Sequence, residues 1–281
     1  MEADIHISAT FSKAAKVPPL GQPRARGLAS VRIKSVDGQG RLADLRMQGA
    51  SKLLFPHGHG MTVVSLNTSG GVTGGDRFRL RASLEPGAEA TITTQAAERF
   101  YRALPAETGH VANHVCVAPQ AKLHWLPQET ILFDGARVQR ATRFSLAVGA
   151  EALIVDPLVF GRHAMGERLS NVVFEDRWRV TQDGALIYAD QMRIRGDAGA
   201  LLAKTAAAQG AMATLLYVSP KAEAVLDDAR ALLSGHCAMT LLRPGVLFGR
   251  LFAEDTFSLR TLLLPTLTLL AERPLPRTWM I

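Results

Sequence analysis

Gly87-Ala88-Glu89-Ala90-Thr91-Ile92-Thr93-Thr94 places a turn residue and a small alanine ahead of a run with alternating apolar positions. Such alternation reads as a strand that turns every second side chain toward a core. The unit returns as Ala121-Lys122-Leu123-His124-Trp125-Leu126 after Gln120, and as Ala150-Glu151-Ala152-Leu153-Ile154-Val155-Asp156 after Gly149. Gly49-Ala50 and Gly184-Ala185 precede further runs, so that successive turns are 38, 33, 29 and 35 residues apart. A β-sandwich turns about every 8 to 12 residues, whereas coils of a stacked β structure return at these longer intervals. The predicted fold is mainly β, with stacked coils as its core.

Outward from this core, helices are predicted in the C-terminal third. Ser219-Pro220 supplies a hydroxyl cap and a proline at the first helical position; Ala222, Val225, Leu226, Ala229, Leu232 and Leu233 then share one face, and Gly235 ends the segment. A second helix runs from about Phe257 to Ala271, with Thr256 or Asp255 at its start and a bend at Pro265. Both apolar stripes are expected to pack on the β core. Residues 1–27, with Pro18, Pro19, Gly21 and Pro23, read as a loosely ordered arm. Residues 28–281 then form a single domain, helical in part from about residue 200.

The 281 residues are 47% hydrophobic and 20% charged, an ordinary globular balance. The longest apolar run, Leu259 to Ala271, contains Pro265 and is too short to span a bilayer, and no secretory signal is visible, so a cytosolic protein is expected. Cys116 and Cys237 form no Cys-x-x-Cys pair and read as reduced small hydrophobes. A net charge of +7, concentrated early in Lys13, Lys16, Arg24, Arg26, Arg32, Lys34, Arg41 and Arg46, calls for an acidic partner surface. Nucleic acid is the other complement, but aromatics make up 6% of the chain, with Phe11 alone before Phe55.

The stretch richest in backbone freedom is Leu66-Asn67-Thr68-Ser69-Gly70-Gly71-Val72-Thr73-Gly74-Gly75-Asp76-Arg77. Two Gly-Gly pairs let the main chain approach something closely, either as a tight turn between strands or as a contact loop. A phosphate cradle is excluded: Asp76 comes after Gly75 where a Walker A loop carries lysine, and Asp76-Arg77-Phe78-Arg79-Leu80 alternates like a strand. Ser69 has Gly71 on one flank but Asn67 on the other, which breaks a nucleophile elbow, and no His-Glu-x-x-His or calcium-loop pattern occurs. His57-Gly58-His59-Gly60 offers two imidazoles, short of the three or four groups a stable transition-metal site takes. His110 and His114 fall on one face of a predicted strand, and His124 and His163 read as structural.

Several motifs occur in one order: the Gly loop; Thr93-Thr94-Gln95-Ala96-Ala97 with Tyr101-Arg102; Trp125-Leu126-Pro127-Gln128-Glu129-Thr130-Ile131-Leu132-Phe133-Asp134-Gly135-Ala136; Leu158-Val159-Phe160-Gly161-Arg162; and Leu275-Pro276-Arg277-Thr278-Trp279. In these, from about residue 28 onward, the chain resembles the urease accessory proteins of the UreD family, also called UreH. The resemblance implies a right-handed β-helical core with a few helices. It also implies a maturation factor without catalysis of its own, one that binds apo-urease, joins UreF-type and UreG-type accessory proteins and supports nickel insertion. GTP hydrolysis would belong to the UreG-type partner, and a dimeric arrangement within the accessory complex stays open. No tightly bound cofactor is implied, only nickel(II) in transit. The competing readings are a β-rich enzyme acting on an anionic small molecule and a basic nucleic-acid-binding protein. The His57-Gly58-His59 turn departs from the family, and no nickel role is carried onto it.

Under this reading Gly70, Gly71, Gly74, Gly75, Asp76, Arg77, Gln95, Arg102 and Arg162 are candidates for partner contact or for the loop itself. Glu129, Asp134 and Asp156 are candidates for weak oxygen ligation of hydrated Ni²⁺ in transit, Asp156 because it sits in the otherwise apolar run Leu153 to Leu158. An ionised carboxylate buried there costs several kcal/mol unless it is paired or holds a cation. Pairing with Arg99, Arg102, Arg137 or Arg162 is the alternative. The family more often carries Glu at position 156, and Glu98 also departs from its pattern.

Overall fold

A computed structural model describes residues 23–58, 60–162, 165–205 and 210–280. The chain opens with strands β1 (Arg26–Val36), β2 (Gln39–Gly49), β3 (Ser51–Leu54), β4 (Met61–Asn67), β5 (Arg77–Leu84), β6 (Glu89–Thr94), β7 (Glu98–Phe100), β8 (Gly109–Val117) and β9 (Lys122–Leu126). Next come β10 (Thr130–Leu132), β11 (Arg137–Leu146), β12 (Glu151–Phe160), β13 (Val172–Gln182) and β14 (Ala185–Gly196). The remainder is α1 (Ala198–Leu202), β15 (Ala211–Val218), α2 (Leu226–Ala231), β16 (Ala238–Arg243), β17 (Val246–Ala253) and α3 (Thr256–Ala271). The expected arm lies almost wholly outside the described residues, except that Arg26 and Gly27 already belong to β1.

From β4 to β13 the chain passes back and forth between two sheets. In the seven-stranded sheet, β1, β5, β8, β11 and β13 run parallel, with β2 and β14 added antiparallel at the edges. In the ten-stranded sheet, β4, β6, β9 and β12 run parallel, and β7 and β10 extend the pairing toward the end of β12. Each coil thus crosses one sheet, turns, crosses the other and returns, which is the β-helix-like core expected from the turn spacing. The corners sit where the repeating turn residues lie: Gly87, Gln120 and Gly149 all have left-handed backbone, at φ of 67°, 61° and 75°. The alanine after each is buried, and amide-to-carbonyl bonds tie one corner to the next, as from Lys122 to Ala88 and from Glu151 to Ala121. Gly184 does something different: with Asp183 it makes the tight turn into the antiparallel β14 that ends the stack.

Inside, Trp125, Phe144, Trp178 and Tyr188 pack edge to face or tilted in a continuous column. The outer face of the ten-stranded sheet is covered by α3 through Leu259, Leu263, Leu267 and Leu270. β12 is therefore covered on both faces and reads as an unbroken apolar run rather than an alternating one. Both helical stripes face the core, except that Leu232 of the first is exposed, and α3 starts as predicted, with the Asp255 side chain accepting from the Ser258 amide at 2.7 Å. The helix predicted from Pro220 begins at Leu226 and ends at Ala231. Ser219 caps only a turn, accepting from the Lys221 amide at 3.2 Å, because its hydroxyl is drawn to Glu151 at 2.6 Å. Among the described residues no helix is long and apolar enough to cross a membrane.

Candidate functional site

The interior is not uniformly apolar. Between two hydrophobic clusters inside the coils lies a polar belt, and its centre is Arg140 of β11. The guanidinium donates to Asp156 of β12, through Nη1 at 2.9 Å and through Nη2. It also donates to Asp176 of β13, through Nε at 2.9 Å and Nη2 at 2.6 Å, and to the Thr130 hydroxyl at 3.2 Å. Two carboxylates thus share one cation, all three side chains nearly sealed from solvent. Burial, and then the neighbouring Asp176 charge, act against the Arg140 charge and push the Asp156 carboxyl up to about 6.

Asp156, Arg140, Thr130 and Thr142 line a cavity of about 370 Å³. Asn67 and Gly70 of the Gly loop, with Gln95 and with Glu98 at the start of β7, line it too. Burial holds Glu98 above the usual carboxylate range, only partly offset by Asn67, whose amide nitrogen is 3.4 Å from both carboxylate oxygens. Beyond Asp156 a smaller recess of about 10 Å³ is lined by Asp176, Asp190, Met192 and Met212. Among the described residues no cluster of three or more His, Cys, Asp or Glu is arranged to hold a metal ion.

The Gly loop comes close to its own chain. A Cβ on Gly71, whose φ is +153°, would lie 2.4 Å from the Tyr101 ring and 2.6 Å from the Arg99 carbonyl; one on Gly74 would lie 2.7 Å from the Glu107 Cβ. Val72 can then bridge to Phe100 and the loop docks on the next coil. Asp76 is buried and closes the loop, accepting from the amides of Thr73 at 2.9 Å and Ala25 at 2.7 Å. Gly75 leaves room for the Arg24 side chain, while Gly70, Arg77 and Gln95 are exposed.

The three transit candidates do not converge. Glu129 is buried under α3, where Arg260 binds both its oxygens, at 2.6 and 3.2 Å. Asp134 lies in a surface turn: one oxygen accepts from the Ser170 and Asn171 amides and the Ser170 hydroxyl, the other from Arg102 at 2.7 Å. Burial raises its pKa, but these hydrogen bonds and Arg102 outweigh it and leave the group below its usual range. Arg162 stands nearby, paired with Glu167 at 3.0 Å and stacked 4.5 Å from the Phe133 ring centre. Only Asp156 of the three lines the cavity. Arginine pairing accounts for all three carboxylates, but Arg102 is the sole predicted partner among those found. His59 and His163 lie outside the described residues, His110 and His114 are exposed on β8 as predicted, and His124 is buried.

Fold and site together define a β-helical scaffold with a carboxylate-bearing interior, and sequence comparison supplies its family. The profile of the UreD urease accessory proteins matches residues 25–280. The chain is 44% identical to urease accessory protein UreD of Roseobacter denitrificans, over 93% of this chain and 97% of the relative. It is 45% identical to the UreD of Mesorhizobium japonicum, over 93% and 96% of the two chains. It is 40% identical to UreD 1 of Brucella melitensis, with the same coverage. The chain belongs to the UreD family of urease accessory proteins, which supports a role in urease maturation.

Proposed function

We propose that this chain is a non-catalytic maturation factor that engages apo-urease with UreF-type and UreG-type accessory proteins and passes nickel(II) through its interior. The observation that carries this reading is the cavity of about 370 Å³ lined by both Glu98 and Asp156. Carboxylate oxygens hold a hydrated borderline cation loosely, and passage needs sites that release as readily as they bind. Of the three carboxylates singled out by sequence, this reading keeps Asp156 and adds Glu98. Glu129 and Asp134 take holding roles, since neither lines the cavity and their oxygens are engaged by Arg260 and by Ser170, Asn171 and Arg102. The recess beside Asp156, lined also by Asp176, Asp190, Met192 and Met212, adds further oxygen groups and introduces thioethers.

The test separates assembly from delivery. Glu98→Gln and Asp156→Asn keep side-chain shape while removing charge. In a strain lacking the wild-type gene, both variants are expected to form complexes with apo-urease and yield urease of reduced nickel content. Intact complexes delivering a full nickel complement would remove the interior route, and normal urease activation without this chain would remove the maturation role.

A further inference from the structure

The outer face of the seven-stranded sheet carries a charge pattern that the nickel reading does not use. Side chains at matched register form rows across the strands. One row is Ser30, Arg81, His114, Arg143 and Arg179, on β1, β5, β8, β11 and β13. The adjacent row places Arg79, Ala112, Ala141 and Arg177 side by side. The two alanines floor a groove of about 360 Å³ whose rim includes Arg77, Arg79, Arg177, His110 and Gln139. In a third row, Arg77, His110 and Gln139 lead to Glu175, the single carboxylate of the three rows, which is buried and paired with Arg195 and, at 3.7 Å, with Arg177. Among the described residues Arg79, Arg81, Arg143 and Arg179 enter no ion pair.

We infer that this face docks an acidic α-helix of a protein partner, laid across the strands over the groove floored by Ala112 and Ala141. From β1 to β13 the rows span four strand spacings, about 19 Å at about 4.8 Å each, too wide for a single small anion. Carboxylates at i, i+4 and i+7 on a helix recur about every 5–6 Å, close to the spacing of guanidinium groups on neighbouring strands. The alanine floor gives a helix a shallow seat between two arginine rims. Single-stranded nucleic acid would want stacking aromatics on the same face, and Phe78, Phe144, Phe174 and Trp178 of these strands are all buried. The inference does not rest on the nickel route, since it uses none of the carboxylates of that route, although the groove and the cavity share Phe78, Arg79, Val111 and Arg140 in their linings.

The test uses the full chain and three fluorescent probes: a 20-residue helical peptide with glutamates along one face, a scrambled peptide of equal composition, and a 16-base-pair DNA duplex. The aligned peptide is expected to bind about fivefold or more tighter than the scrambled one. The triple variant Arg81→Gln/Arg143→Gln/Arg179→Gln, matched to wild type in melting temperature, is expected to weaken that binding about tenfold or more. Lys204→Gln/Arg243→Gln, exposed elsewhere, should change it by less than about twofold. Equal binding of the two peptides, tighter binding of the duplex than of the aligned peptide, or equal losses in the two variants would each overturn the proposal.

Discussion

Asp156 and His124 are both buried titratable groups, and their effects on stability have opposite signs. The folded Asp156 carboxyl, raised to about 6 from about 3.8, binds its proton more tightly than in the unfolded chain. The stability it contributes is complete below about pH 4 and is lost as pH rises through about 6. His124 is lowered to about 4 by burial and then by Arg273 and Lys122, so its folded form resists protonation and stability is lost as pH falls from 6.5 toward 4. Because the two slopes oppose, wild-type melting alone does not separate them. The melting temperature of wild type minus that of Asp156→Asn is expected to decrease from pH 4 to 7. The corresponding difference for His124→Gln is expected to increase from pH 4 to 6.5. A flat difference in either series would show that the group does not titrate as its surroundings dictate.

At the scale of elements, glycine has two distinct uses. Gly149, at a corner with φ of +75°, has open space around its missing Cβ, so Gly149→Ala should cost only the left-handed penalty of about 1 kcal/mol. Gly71 is hemmed in by Tyr101 and the Arg99 carbonyl, so Gly71→Ala must move backbone and should cost about 3 kcal/mol. Chemical denaturation of the two variants checks the contrast, and equal losses would mean that the loop does not need its close approach to Tyr101. These uses differ in how well the sequence reveals them. The corners were legible because three turn residues precede similar alternating runs, whereas what the Gly loop touches depends on Tyr101 and Glu107, a coil away. The Ser219-Pro220 helix was over-read because a hydroxyl that caps locally also bonds across the fold to Glu151.

Across the whole molecule, the β core and α3 were legible because both rest on periodicity, which is local. The site was less so. Asp156 stood out as an acid in an apolar run, yet its partner Arg140 sits in a strand of ordinary alternation, and nothing local marks Asp176 as the second carboxylate. Glu129 illustrates the same limit, since Arg260 lies 131 residues away. Arg260→Leu should leave Glu129 buried beside a lost cation and cost about 3 to 5 kcal/mol. Replacing both, as Arg260→Leu/Glu129→Leu, should be less destabilising than Arg260→Leu alone. A double variant as unstable as the sum of its singles would mean that the two groups act independently.

The short helical turn Arg277–Trp279 gives that long reach a further consequence. Trp279 is almost fully buried and its indole N–H donates to the Leu126 carbonyl at 2.9 Å, while Arg260 lies 5.6 Å from its ring centre. The Thr278 hydroxyl meets that of Thr93 at 3.2 Å. A ribosome makes these residues after every strand of the core, and they close over strands made far earlier. A nascent chain that stops before α3 carries Gln128 and Glu129 without Arg260 and the apolar outer face of β12 and β15 without its cover, and one that stops before Trp279 leaves the Leu126 carbonyl without its indole partner. Until α3 and this turn emerge, the growing chain is therefore a sticky, half-clad sheet, and chaperone capture or proteolysis of chains extended artificially beyond them should fall sharply once residues 256–279 are outside the exit tunnel.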